Sequence, residues 1–257
     1  MNKADILKQV RHTLGRGGFL VSEEQNIRSM VFDVVARKDQ QLLLVKVLLN
    51  VGALSKDGAL ELVQIARLLK ASPIVVGRQS GTGVLEDGVV YTRMGIPIIT
   101  GNTLDELVLE GVPPFVFAAP GGFYVHIDGE ALQMAKDERN LSLGTLAEIA
   151  GVSRRTISMY TRGMGAILEV AMKLEDFLNT PLVLPIDPFI QKGEKTDTNT
   201  TPFTSCTRFQ NEIFSGLFNL GYDVVPVVKC PFDALTSDEK VPVSYTHLRA
   251  HETVLDL

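Results

Sequence analysis

The first half of the chain alternates apolar runs with polar turns, after one amphipathic segment at its start. Apolar residues recur at helical spacing over 6–14, and the glycines of 15–18 end this predicted helix where the chain must turn. Ser55 is the predicted N-cap of a second helix that extends to Lys70, and a short helix is predicted at 104–108. Apolar and β-branched runs predict strands at 19–21, 30–35, 42–49, 73–77, 89–91 and 96–100, with a hairpin turn at 36–41.

The second half has a different pattern, because helical spacing dominates after a glycine- and proline-rich segment at 118–124. We interpret that segment as a crossing between domains. Short helices are then predicted at 130–139, from Ser142 to Gly151, after Ser153, and at 168–178. The predicted units are an α/β domain with a mixed sheet at 1–127, an all-α domain at 128–182, a polar linker at 183–204, the start of a truncated α/β domain at 205–240, and a tail at 241–257.

The segment from Leu143 to Arg162 has the residue types that a helix-turn-helix requires. Ala147 is the small residue at which the second helix crosses the first. Gly151 follows four residues later and supplies the positive φ of the turn. Apolar anchors face back from both helices, namely Leu146, Ala150, Val152, Ile157 and Tyr160. This spacing is specific, and the alternative is a helical hairpin that only packs.

Removing the inward anchors leaves an outward face that can contact double-stranded DNA. Arg154 or Arg155 is predicted to bind guanine through a forked pair of hydrogen bonds in the major groove. Ser153 caps the helix and can touch phosphate, and Met159 can meet a thymine methyl group. Backbone phosphates are the predicted partners of the side chains flanking this face. The full set of predicted DNA-binding residues is Thr145, Ser153, Arg154, Arg155, Ser158, Met159 and Arg162.

The stretch 143–163 is similar to the Cro/phage-repressor family of DNA-binding domains. The resemblance covers about 50 residues, and Thr161 departs from the acidic residue that the family often has before its basic residue and glycine. What it implies is a five-helix domain that binds palindromic half-sites as a homodimer. Neither the resemblance nor the composition points to a cofactor.

The order of helices and strands in 1–127 is that of the restriction-endonuclease-like fold, and the sequence resembles its archaeal Holliday-junction-resolvase branch. Members hold a divalent metal between an acid at the end of one strand and an acid-x-lysine on the next. Asp33 and Lys46 occupy the positions of the first acid and the lysine, but the second acid is replaced by Leu44, which cannot ligate Mg²⁺. We therefore predict a degenerate, inactive nuclease fold in which Asp33 and Lys46 form a structural ion pair.

Composition limits the remaining possibilities. A formal net charge of −5 argues against a protein that coats nucleic acid non-specifically, yet Arg154, Arg155 and Arg162 stand in a segment with no acid. No apolar run approaches the roughly 20 residues of a membrane span. Cys206 and Cys230 fit free thiols in a reducing cytoplasm. These features predict a cytoplasmic protein without a membrane partner.

The last residues differ from the rest of the chain, because 241–253 looks like a translated sequencing adaptor. We expect 241–257 to be non-native, so that His247 and His251 do not form a metal pair despite their i, i+4 spacing. Over its native length the chain resembles archaeal helix-turn-helix regulators that join a nuclease-like domain to a Cro-type domain. The leading hypothesis is a sequence-specific regulator; the alternatives are a metal-dependent nuclease targeted by the helix-turn-helix, and an effector-binding scaffold with no role on DNA.

Overall fold

The computed structural model describes residues 2–23, 30–81, 83–190, 207–227 and 232–237. One mixed sheet of eleven strands runs through most of this part of the chain, and a separate two-stranded sheet lies near its end. The order of the large sheet is β1-β2-β3-β4-β7-β6-β8-β9-β10, with β5 beside β4 and β11 beside β9.

The elements of the first half agree in type with most of the predicted ones. They are α1 (Lys3–Arg16), β1 (Leu20–Val21), β2 (Val34–Lys38), β3 (Gln41–Asn50), a 3₁₀ turn (Val51–Ala53), α2 (Lys56–Leu68), β4 (Ser72–Ser80), β5 (Gly83–Val84), β6 (Val89–Arg93), β7 (Ile96–Ile99), α3 (Gly101–Asp105), a π-helical turn (Glu106–Glu110), β8 (Val116–Ala119) and β9 (Gly122–Ile127).

Local capping explains where the two long helices begin. The Asn2 side chain accepts a hydrogen bond from the Asp5 amide, and the Asp5 side chain accepts one from the Asn2 amide, which forms a capping box at α1. At α2 the Ser55 side chain accepts from the Gly58 amide, as its position before the apolar stripe predicted. Each cap satisfies backbone donors that have no partner inside the helix.

The two helices lie on opposite faces of the central strands. Strands β3 and β4 are parallel neighbours that α2 connects along the chain, whereas β2 and β3 form an antiparallel hairpin. Alternate residues of β3 therefore enter different cores: Leu44 lies with Leu62 and Ile65 of α2, and Leu43 lies with Val10 of α1. Both faces of this strand are buried, which accounts for its nearly continuous apolar sequence.

The predicted strand at 30–35 is placed too early. Met30, Val31 and Phe32 are buried but irregular, and β2 begins only at Val34. The chain then turns at Asp39, whose φ is 50°, so the first half of the predicted turn 36–41 belongs to the strand. Residues 30–32 are apolar because they are buried and not because they form a strand. An apolar run does not distinguish a strand from a packed irregular segment.

The glycine- and proline-rich segment at 118–124 forms a hairpin, and the domain crossing near it stays a prediction. Strands β8 and β9 pair antiparallel around it, and Gly121 and Gly122 supply the positive φ values of 100° and 143° that its turn needs. Because β8 also pairs in parallel with β6, the hairpin extends the sheet toward the following helices. The glycines and the proline marked this segment in the sequence, but the two strands that flank it were not predicted.

The helical region is built onto this hairpin. Its elements are α4 (Gly129–Glu138), α5 (Leu143–Ala150), α6 (Arg154–Tyr160), β10 (Ala166–Ile167), α7 (Leu168–Leu178) and β11 (Val183–Leu184). The short strands β10 and β11 were not predicted, and both pair antiparallel with β9. The helices are those expected, but two strand pairings attach them to the sheet.

After β11 the chain returns to the first half of the molecule. The Ile186 amide donates to the Pro114 carbonyl at 2.8 Å, and the Ser72 hydroxyl donates to the Phe189 carbonyl. The Phe189 side chain is buried in the core beneath α1. The first residues of the predicted linker 183–204 are thus ordered, and 191–204 lies outside the described residues.

The last described elements are α8 (Arg208–Asn219), β12 (Asp223–Pro226) and β13 (Ala234–Ser237). The predicted helix and strand of 205–240 are both present, and β12 pairs antiparallel with β13. Val227 and Leu235 are buried in the same core as Leu44 and α2, so this segment adds to the first core. The predicted tail 241–257, with His247 and His251, and both cysteines lie outside the described residues. Within the described ranges, no helix is long and apolar enough to cross a bilayer.

Candidate DNA-binding interface

Helices α5 and α6 pack around the small core that the sequence predicted. Leu146 and Ile157 are fully buried, and Ala147, Ala150 and Tyr160 are nearly so. These side chains share one cluster with Leu174 and Leu178 of α7, which supports the pair from behind. Burial also raises the pKa of the Tyr160 phenol, with a smaller contribution from Tyr124. Tyr160 therefore packs as a neutral aromatic anchor.

The turn between the two helices has the predicted geometry. Gly151 ends α5 in the left-handed region at φ 70°, and the Val152 amide donates to the Ala147 carbonyl at 2.9 Å. Ser153 then caps α6, because its hydroxyl accepts a hydrogen bond from the Thr156 amide at 3.1 Å. These bonds determine the direction in which α6 leaves the turn.

Most of the predicted DNA-binding residues lie on the outside of this unit. Arg154, Arg155 and Arg162 are exposed, as are Ser153 and Thr145, and the Met159 side chain is 40% exposed. Ser158 is half-buried, so it lies at the margin of the face. In the part of the chain that the structure describes, no salt bridge involves any of the three guanidinium groups. The arginine edge therefore keeps its positive charge available to an external anion.

Arg154 and Arg155 occupy different surroundings, which the sequence analysis did not separate. A Cβ at Gly144 in the first turn of α5 would stand 3.1 Å from the Arg154 Nε and 3.2 Å from its Nη2. The Arg154 guanidinium thus lies across α5 at a residue that has no side chain. Gly144 is the signal that could have revealed this contact, since glycine inside a helix often marks a close approach.

The predicted ion pair of the nuclease-like domain is present and has a third member. Asp33 Oδ2 lies 3.4 Å from Lys46 Nζ and accepts the Val47 amide at 2.8 Å. Asp33 Oδ1 lies 2.8 Å from Lys3 Nζ, an interaction that the sequence analysis missed. Lys46 also donates to the Met30 carbonyl. Both carboxylate oxygens of Asp33 therefore have cationic partners from the protein itself.

These residues do not fit a divalent metal. Mg²⁺ requires several oxygen ligands in octahedral geometry, whereas Leu44 stands where a second carboxylate is needed and is fully buried in the core. The described residues contain no group of three or more His, Cys, Asp or Glu side chains that could hold a metal ion. Among the described residues, Asp33 therefore lacks the second carboxylate that a metal site of this kind requires.

Comparisons with known proteins identify both domains. A model of the PD-(D/E)XK superfamily domain matches residues 3–114, and a helix-turn-helix model matches residues 132–184. No solved structure matches the chain.

Full-length relatives carry the same name across several archaea. Proteins named "Putative HTH-type transcriptional regulatory protein" match over 93% of this chain. The relative from Methanocella arvoryzae is 39% identical, with 75% of its length covered, and that from Halorubrum lacusprofundi is 40% identical, with 74% covered. The relative from Methanosarcina mazei is 40% identical, with 76% covered. The chain belongs to this archaeal family, which joins a PD-(D/E)XK-type domain to a helix-turn-helix.

Proposed function

We propose that the chain is a sequence-specific transcriptional regulator that binds double-stranded DNA through α6. The observation that carries this proposal is the arginine edge, Arg154, Arg155 and Arg162, which is exposed on a packed helix-turn-helix and has no acidic partner among the described residues. The names of the relatives support the same function. Because the molecule as a whole is acidic, this edge can direct it to a groove without coating DNA.

The surroundings of each side chain suggest a division of roles. Arg155 is free to enter the major groove and fork onto guanine O6 and N7. Arg154 lies over α5, where it can reach a phosphate beside Thr145 and Ser153. Met159 is placed to contact a thymine methyl group, and Ser158 lies at the margin of the face. Arg162 follows α6, at a position suited to contact with the sugar–phosphate backbone of the DNA.

We further propose that the protein acts in the cytoplasm as a homodimer. The dimer is implied by the resemblance to Cro-type domains, whose symmetry matches palindromic operators. Sedimentation of the full chain, alone and with a palindromic site, tests this point. One protomer per half-site across a two-fold axis is expected, and a single protomer saturating the whole site would contradict it.

The nuclease-like domain is proposed to have no catalytic activity, because Leu44 stands where the second carboxylate of the metal site is needed. Incubation of the full chain with Mg²⁺ or Mn²⁺ and linear or branched DNA tests the competing nuclease function. We expect intact DNA. Cleavage that disappears in Asp33→Asn would establish the nuclease instead.

Selection of bound fragments from genomic DNA, followed by binding assays, tests the main proposal. Wild type is expected to enrich a defined site, and Arg155→Ala is expected to lose that preference. Arg67→Ala on the exposed side of α2 is the matched control, since it removes the same charge far from α6 in the sequence. Equal enrichment of all fragments by wild type would refute sequence-specific binding.

A further inference from the structure

The outward face of α1 carries basic side chains at positions one turn apart. Lys8, His12 and Arg16 follow each other at i, i+4 and i+8, and all three are exposed. The opposite side of the helix is buried through Ile6, Val10 and Leu14. The row therefore faces solvent, because the apolar face of α1 packs in the core.

One acid, Asp5, lies on the same helix as this row. Asp5 is the acid in the first turn of α1, and its carboxylate accepts the Asn2 amide in the capping box. Within the described ranges, no salt bridge involves Lys8, Arg11 or Arg16.

Neighbouring groups strengthen the positive field at both ends of α1. At its start Lys3 and Lys46 surround the single carboxylate of Asp33. At its end Lys38 Nζ donates to the Gly17 carbonyl at 2.8 Å. On one flank, Gln9 and Thr13 hydrogen-bond to Asp105 of α3. That carboxylate is thus engaged beside the row rather than within it.

One more group on this helix lacks a partner. Arg11 is half-buried between the row and the core, and its Nη1 is buried without a hydrogen-bond partner among the described residues. Arg11 lies three residues after Lys8 and adds a half-buried basic side chain beside the row.

We infer that the α1 row is a second phosphate-binding surface, which holds the sugar–phosphate backbone of duplex DNA without reading its sequence. The row from Lys8 to Arg16 is about 12 Å long, and a duplex presents about one phosphate per 1.7 Å of its axis. The inference rests on the proposed function, because it assigns to the nuclease-like domain a share in binding the same class of ligand.

An anionic membrane is the less suitable partner. A helix that binds a bilayer surface inserts its apolar face between the lipids. The apolar face of α1 packs against Phe189 and the sheet, and the exposed positions between Lys8 and Arg16 are His12 and Gly15, neither of which offers an apolar side chain. Electrostatic contact with phosphates remains the interaction that this surface offers.

The test compares the full-length variant Lys8→Gln/Arg16→Gln with wild type on a random-sequence duplex across a range of salt concentrations. Glutamine has a helix propensity close to those of lysine and arginine, so α1 is expected to stay folded. Each lost phosphate contact lowers the magnitude of the slope of log K against log salt by about 1, so a decrease of about 2 is expected. Circular dichroism melting verifies the fold.

The matched control is Lys56→Gln/Arg67→Gln on α2, which removes the same two charges from the opposite face of the sheet. Its slope is expected to equal that of wild type. Equal slopes for the α1 variant and wild type would overturn the inference, as would an equal decrease in the α2 control. Binding of the row to phosphatidylserine vesicles without any effect on duplex would also overturn it.

Failure of the inference is distinguishable from failure of the proposed function. If wild type selects a defined site that Arg155→Ala fails to select, while the α1 variant keeps the full slope, only the α1 surface is refuted. If wild type binds no duplex at any salt concentration, both are refuted.

Discussion

At the scale of single residues, position on α6 decides what an arginine can contact. Arg155 stands in the first turn of α6, the end of a recognition helix that enters the major groove, whereas Arg162 follows the last turn. Groove contacts discriminate between sequences, and phosphate contacts do not.

Arg155→Ala is therefore expected to lose about 1–3 kcal/mol of binding free energy on the operator and far less on random DNA. Arg162→Ala is expected to weaken binding to both duplexes about equally. Competition of a labelled operator against random duplex measures the difference. The assigned roles would be wrong if both variants showed the same ratio of operator to random affinity.

The turn glycine permits a second prediction at this scale. A side chain at Gly151 would meet no atom within 4 Å, so Gly151→Ala changes only the backbone energy at φ 70°. A left-handed residue with a Cβ costs roughly 1–2 kcal/mol, and this decrease in the free energy of unfolding is measurable by denaturant titration.

Gly15→Ala is the matched control, because its added Cβ also meets no atom within 4 Å but its φ is not positive. In α1 this change is expected to stabilise by about 0.5–1 kcal/mol. Equal effects at Gly15 and Gly151 would show that the turn does not require a left-handed residue.

At the scale of elements, Asp33 connects the start of α1 to β3. The Lys46 side chain is 13% exposed, whereas that of Lys3 is 46% exposed. Removal of the carboxylate leaves the more buried ammonium without its anion, and removal of Lys3 leaves Asp33 with its other partners.

We expect Asp33→Ala to lower the free energy of unfolding by about 1–3 kcal/mol, and Lys3→Ala by less than about 1 kcal/mol. Thermal melts with and without Mg²⁺ measure both effects. Mg²⁺ is expected to leave the melting temperature of the wild-type protein unchanged. A magnesium-dependent rise that Asp33→Ala abolishes would contradict the structural role given to this carboxylate.

Elements with strong local signals could be predicted from the sequence, and those that depend on distant partners could not. The helix-turn-helix core was predictable because Ala147 and Gly151 act within twenty residues of their partners. Strand β10 is two residues long and exists only because β9 pairs with it, so no local pattern marks it. Lys3 beside Asp33 was missed for the same reason, since thirty residues separate them.

At the scale of the whole molecule, the two domains share hydrogen bonds and core. Strand β9 pairs with β8 on the nuclease-like side and with β10 and β11 of the helical region. Phe189, which follows the helical region, is buried under α1. These connections predict cooperative unfolding of both domains.

Phe189→Ala is expected to destabilise by about 3 kcal/mol, because it leaves a cavity in the core beneath α1. Differential scanning calorimetry is expected to show one transition for wild type and for the variant, shifted to lower temperature in the latter. The neighbouring Ile190→Ala is the control; that side chain is 67% exposed, so a change within about 0.5 kcal/mol is expected. Two separate transitions in wild type would contradict the coupling.

The position of β9 also has a consequence for anyone who transplants this DNA-reading module. The helix-turn-helix match covers 132–184, which includes β10 and β11 but omits the strand that both pair with. A graft cut at those limits would leave two short strands with unpaired backbone groups, which can pair with another copy of the graft. A transplant that starts at β8 keeps the strand that β10 and β11 pair with, and its one new open edge is the side of β8 that pairs with β6 in the whole protein.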